Sequence, residues 1–252
     1  MPTRHEQLLE EHRWYTGEHK NADEINLIIS TRLTHVSQFP FYAQALAEAV
    51  HEGQVDKNGE PYIDHVRRVV AYTQEMLDEQ YPLEGKRPGE ITTFGTDYND
   101  RQKLHAELIS VAWMHDVLED TPGLTYYHLK NMVEHDGQHE VSHDDQADLK
   151  RVVHMVSTIN RSRDENGKHY ETYARYIRRV GNFGPEITGP TASYNPKTAH
   201  TRPLSMVKLA DLHDNRGRGG IPKSLEERYD RAIDTLREMN QEEVQLNKGE
   251  VR

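Results

Sequence analysis

Apolar residues recur along most of this chain at spacings of three and four, the period of an amphipathic helix. The clearest case is 62–80, where Ile63, Val66, Val69, Val70, Thr73, Met76 and Leu77 draw one stripe. Pro61, just before it, suits a helix start. Residues 41–51 (Phe-Tyr-Ala-Gln-Ala-Leu-Ala-Glu-Ala-Val-His) join strong helix formers to the same spacing, after Pro40 and before Gly53. Further helices are predicted over 101–118, 124–133, 144–159, 170–180, 203–215 and 225–240. The first of these is stopped by Thr121-Pro122-Gly123. No run alternates as a half-buried strand does, and Ile91-Thr92-Thr93-Phe94 suits only a short extended piece. The expected fold class is all-α.

Two segments, 81–99 and 181–201, are rich in Pro, Gly, Thr and Asn and lack periodicity. Each is longer than the roughly two to eight residues that usually join helices in a compact domain, so both read as loop insertions. The expected organisation is an N-terminal helical extension over 1–40, a main domain over 41–240 and a polar, frayed tail over 241–252.

Composition narrows the chemistry. The 252 residues fit one large domain or one and a half small ones, and the formal net charge is -11. With a mean hydropathy of -0.92, the expectation is a soluble, cytoplasmic protein. An acidic chain is a poor match for a phosphate backbone, so no nucleic-acid partner is expected. No membrane partner is expected either: residues 1–15 are charged and apolar runs such as 111–114 are short. Cysteine is absent, which excludes disulfides, thiolate zinc sites and cysteine nucleophiles. A metal must then be held by His, Asp, Glu and water, a set that suits manganese, iron or zinc. Most of the 16 histidines sit in polar company, as His5, His12, His19, His135, His139 and His143 do, and read as solvated.

One stretch stands apart. Val111-Ala112-Trp113-Met114 delivers His115 and Asp116, and Glu119 and Asp120 follow one helical turn later. Read as one helix, His115 and Glu119 share a flank, as do Asp116 and Asp120. Four such groups at the end of an apolar helix are costly to bury unless something binds them, and a divalent cation is the simplest answer. Carboxylates at a helix C-terminus are also disfavoured by the dipole, which argues for use. Three further pieces carry polar chemistry. His51-Glu52-Gly53-Gln54 precedes Gly59-Glu60-Pro61-Tyr62-Ile63-Asp64-His65, which places His65 in a first helical turn. Val207-Lys208-Leu209-Ala210-Asp211 precedes Asn215, four residues on and on the same face. Thr158-Ile159-Asn160-Arg161-Ser162-Arg163 ends a helix.

Taken together, these blocks resemble the HD-domain phosphohydrolases, and more narrowly the (p)ppGpp hydrolase domain of RelA/SpoT homologues and the small alarmone hydrolases. The resemblance rests on His-Glu-Gly-Gln with Gly-Glu-Pro-Tyr-Ile-x-His, then His-Asp-Val-x-Glu-Asp-Thr, then Lys-Leu-Ala-Asp-x-x-x-Asn, in that order, over roughly residues 41–218. It implies an all-α HD-domain helical bundle, here with two loop insertions, and a single Mn2+ ion. The implied ligands are His65, His115, Asp116 and Asp211. Glu119 and Asp120 match the catalytic pair that positions and activates the attacking water. Substrate contacts fall on Lys57, Lys208, Asn215, Asn160 and Arg161. The implied reaction removes the 3′-pyrophosphate of a nucleotide, taking (p)ppGpp to GDP or GTP plus pyrophosphate.

The residues support such chemistry on their own terms. A divalent ion among two His and two Asp can acidify water and polarise a phosphoryl oxygen. Glu119 or Asp120 is then available as general base. A polyanionic substrate needs local cations on an acidic chain, and Lys57, Arg67, Arg68, Arg161, Arg163, Lys168, Lys208, Arg216 and Arg218 lie near the motifs. Two departures stand out. Asp56, followed by Lys57, occupies the position where the family often stacks a basic residue on guanine, and Val66 replaces the proline usual after the first metal histidine. Two alternatives therefore stay open. One is an HD phosphohydrolase acting on another nucleotide, such as ppApp, NADPH or a deoxynucleotide. The other is a non-catalytic nucleotide-sensing domain.

Overall fold

The computed structural model describes residues 22–56, 58–81, 83, 98–121, 124–134, 141–161, 169–183 and 203–249, with the backbone alone for 98–100, 203 and 241–249. The helices are α1 (Ala22–Ser30), α2 (Phe39–Val50), α3 (Tyr62–Gln80), α4 (Tyr98–Met114), α5 (Val117–Asp120), α6 (Tyr126–Val133), α7 (His143–Ile159), α8 (Tyr173–Gly181), α9 (Pro203–Gly217) and α10 (Lys223–Gly249). A 3-10 turn, Val36–Gln38, leads into α2. Among the described residues there is no sheet, only an isolated bridge between Val55 and Pro61. The protein is all-α. No described helix is long and apolar enough to cross a membrane.

Helix α4 is the centre of the packing, against α2, α3, α7 and α9. Its sequence accounts for this: Leu108, Val111, Ala112, Trp113 and Met114 are all buried, so the last two turns are apolar on most sides, while Arg101, His105, Glu107 and Ser110 are buried polar groups of the same helix. Helix α9 is similar, burying Leu204, Met206, Val207, Leu209, Ala210 and Leu212, and it packs on α3, α4, α8 and α10. Helix α3 buries one stripe, Val66, Val69, Thr73 and Leu77, and leaves its other side polar. The Val55–Pro61 bridge closes the loop between α2 and α3. Gly53 and Gly59 turn that loop at φ 76 and 81, a left-handed conformation that favours glycine. Gly181, at the end of α8, lets α10 come close, since a Cβ there would meet Met239 Sδ at 2.8 Å.

The helix predicted over 101–118 breaks: α4 stops at Met114, and α5 starts at Val117. Helix α10 runs to Gly249, so the tail expected to fray from 241 is helical that far. Within the described part of the N-terminal segment, Ile25, Ile28, Leu33, Val36 and Phe39 join the same core as Leu236. Of the two insertions, Tyr81 and Phe183 are buried and residues 98–99 belong to α4. Residues 1–21, 84–97 (with the run 91–94) and 184–201 lie outside the described residues.

Candidate metal centre

Three helices converge on one point. His65 lies one turn into α3, His115 and Asp116 form the turn after α4, and Asp211 lies mid-way along α9. His115 Nε2 stands 2.9 Å from Asp116 Oδ2 and 3.2 Å from His65 Nε2. His65 Nε2 is 3.5 Å from both Asp116 Oδ2 and Asp211 Oδ1, and His115 Nε2 is 3.7 Å from Asp211 Oδ1. Ligands about 2.1 Å from a common ion are about 3 Å from one another at right angles, so these spacings are close to the edges of a coordination polyhedron. His65, His115 and Asp116 form a group that can hold a metal ion, and among the described residues no other such group occurs.

The helix break makes this possible. In an unbroken helix the neighbours His115 and Asp116 would point about 100° apart. Instead His115 Nδ1 bonds the carbonyl of Ala112 at 2.8 Å, and Asp116 caps α5, its carbonyl accepting from the amides of Glu119 and Asp120 at 3.0 and 2.8 Å. The break also changes the setting of Glu119 and Asp120. They lie in the first turn of α5, not at the end of a long helix, so the dipole cost inferred from the sequence does not apply.

The protons are fixed by what surrounds the rings. His65 Nδ1 faces Asp214 Oδ2 at 2.7 Å, and His115 Nδ1 faces the Ala112 carbonyl. Neither oxygen can donate, so each ring carries its N–H there and turns the lone pair of Nε2 inward. The two lone pairs then face the Asp116 carboxylate at 2.9 and 3.5 Å, with Asp211, which lies outside the group of three, at 3.5 and 3.7 Å, and this is repulsive unless a cation or protons stand between them. Burial alone would lower the His65 pKa, but Asp116, Asp211 and Asp214 outweigh it and push it up to about 10. His115 is buried too, and Asp116 and Asp211 still raise it. Conversely, the two rings outweigh burial at Asp116 and hold its carboxyl well below the usual range. The donor set fits a divalent cation.

The surroundings lock each of these side chains. Lys208 Nζ donates to Asp211 Oδ2 at 2.6 Å, and Asn215 Nδ2 donates to Oδ1 at 2.5 Å. Tyr62 donates its hydroxyl to Asp116 Oδ2 at 2.6 Å. Its ring packs between His51 and His65, with centroids 4.9 and 5.4 Å away. His51 is itself buried and bonds Gln54 Oε1 through Nδ1 at 2.9 Å. Asp120 borders this cluster with an exposed edge. Loss of hydration on its inner side, with repulsion from Asp116 and Glu119, pushes its carboxyl up to about 7.

The residues expected to meet substrate are thus divided. Lys208 and Asn215 bond Asp211. Asn160 is buried at the end of α7, and Arg161 donates to the Glu171 carbonyl at 2.9 Å while its guanidinium lies 5.5 Å from the centre of the Tyr173 ring. Lys57, Arg163 and Lys168 lie outside the described residues. Arg67, Arg68, Arg216 and Arg218 all pair with carboxylates. Asp56 turns its carboxylate into its own loop, accepting the amides of Asn58 and Glu60 at 2.8 and 3.0 Å, with Arg218 at 3.7 Å. Sequence reasoning gave no role to Tyr62 or Asp214, and read Arg68 as a cation for substrate where the structure pairs it with Asp214. A signal existed for each: Tyr62 and Arg68 are three residues either side of His65, and Asp214 is three past Asp211.

The fold and the centre define an all-α protein with a histidine–aspartate site able to hold a metal ion. No protein-family model, curated protein or solved structure matches the chain.

Proposed function

We propose that this protein is a metal-dependent phosphohydrolase of the HD type that removes a 3′-pyrophosphate from a nucleotide, with (p)ppGpp as the leading substrate and Mn2+ as the ion. The observation that carries the reading is the convergence of His65, His115, Asp116 and Asp211, with both imidazole Nε2 atoms turned inward. A bound divalent ion supplies Lewis acidity toward a phosphoryl oxygen and lowers the pKa of water. The chain's own residues do the rest. Asp120, or Glu119 beside it, takes the proton of the attacking water. The water oxygen bonds to phosphorus, the bond from phosphorus to the ribose 3′ oxygen breaks, and that oxygen takes up the proton as pyrophosphate leaves. Arg161 and Arg228, both beside the Tyr173 ring at 5.5 and 4.8 Å, offer cations to a polyanion on an otherwise acidic chain.

Asp56 supports a second reading, hydrolysis of a nucleotide with another base. Its carboxylate is engaged by its own loop, and an aspartate offers no plane to stack on a purine. The test is pyrophosphate release from ppGpp and ppApp, with and without Mn2+. Release that needs the metal and is abolished in His115→Ala, whose far-ultraviolet circular dichroism stays like wild type, is the expected result. No release from either nucleotide with the metal bound would overturn the reading as a 3′-pyrophosphohydrolase.

A further inference from the structure

Behind the metal-facing side of His65 lies a second set of charges that the proposed chemistry does not use. Asp214 is buried, with its carboxylate oxygen Oδ2 at 2.7 Å from His65 Nδ1. Two guanidiniums hold that carboxylate: Arg68 Nε reaches Oδ1 at 2.5 Å, and Arg218 Nε reaches Oδ2 at 2.9 Å. Arg218 Nη1 also stands 3.7 Å from Asp56 Oδ2, which ties the α2–α3 loop to the same group.

The register explains the arrangement. His65 and Arg68 are three apart on α3, and Asp211 and Asp214 are three apart on α9, so each pair shares a helix face. Packing α3 on α9 brings the two faces together. The upper turn of each face supplies a ligand candidate, and the lower turn supplies its support.

We propose that Asp214 is a positioning residue for the metal centre. It fixes the His65 ring so that Nε2, and not Nδ1, meets the ion, and it shields that ion from Arg68 and Arg218. This rests on the reading of His65 as a ligand. A carboxylate flanked by two guanidiniums is an acceptor only, so the ring proton stays on Nδ1. Without Asp214 the ring is free to turn, and two cations face the site with only the more distant carboxylates of Glu60 and Asp56, at 3.9 and 3.7 Å, beside them. Orientation and charge thus act in the same direction.

The test uses the full chain, stripped of metal. Calorimetric titration with Mn2+ alone compares wild type, Asp214→Ala and the near-isosteric Asp214→Asn. NMR of the metal-free chain, labelled with 15N in histidine, reads solvent exchange of the His65 Nδ1–H. Asp214→Ala is expected to weaken Mn2+ binding by about 10- to 100-fold and to expose that proton to fast exchange. Asp214→Asn keeps an oxygen acceptor but loses the charge, so it is expected to fall between the two. A packing role alone would lower melting temperature without moving either readout. Both variants binding Mn2+ within twofold of wild type, or an unchanged Nδ1–H in Asp214→Ala, overturns the proposal while leaving the metal centre standing. A wild-type chain that binds no Mn2+ overturns both.

Discussion

Metal binding at this centre must compete with protons, and the structure sets the scale. In the metal-free protein the surrounding carboxylates outweigh burial and push His65 up from 6.5 to about 10. A group with that pKa is protonated about a thousandfold in excess at pH 7, so displacing its proton costs about 4 kcal/mol of metal affinity. His115 is raised as well, so a second proton contributes. The sign is fixed by linkage. Protonation of His65 stabilises the metal-free fold fully below pH 6.5, and that contribution fades as pH rises through about 10. Metal binding runs the other way, because only the neutral ring can coordinate. Calorimetry with Mn2+ between about pH 6 and 8, in buffers of different ionisation heat, reads both quantities. The expected result is a Kd that falls about ten- to a hundredfold per pH unit, as one to two protons are released per ion. A Kd constant within twofold over that range, with no proton released, would refute the argument that these imidazoles face the ion with their Nε2 atoms.

Three further outcomes follow from the same structure. Glu119→Gln and Asp120→Asn should each keep Mn2+ affinity within a few-fold, and whichever removes the general base should cut turnover by about a hundredfold or more; equal loss of affinity and rate would make that residue a ligand. The preference in kcat/KM for ppGpp over ppApp should stay below roughly a hundredfold, some 2.7 kcal/mol, because Asp56 is held within its loop; a larger preference would show guanine recognition by another route. Arg151→Ala should strand Glu107, which is buried, already pushed up to about 7 by that burial and partnered by Arg151. The expected loss is about 3 kcal/mol, read as a fall in melting temperature of roughly 6–12 °C with Mn2+ affinity unchanged.

Much of this protein was legible in its pattern. The period of three and four along 62–80 gives α3 its bounds, since a helix needs only local spacing and a start signal such as Pro61. The same spacing foretold an all-α fold, because no segment offered the alternation a strand requires. The types and order of His65, His115, Asp116 and Asp211 pointed to a metal, as cysteine was absent and no thiolate could serve. What the sequence could not settle was geometry. The break after Met114 depends on His115 bonding the Ala112 carbonyl and on Asp116 capping a new helix, a competition between side chain and backbone that periodicity does not register. Without that break the adjacent pair could not face one point. The partners of the ligands were equally hidden: Asp214 meets His65 across 149 residues of sequence, and Tyr62 meets Asp116 across 54. Such contacts arise only when α3, α4 and α9 pack, because a hydrogen bond is set by distance in space and carries no trace in local spacing. Sequence thus determined which side chains are of a kind to hold a metal ion, and tertiary packing decided which atoms of them meet.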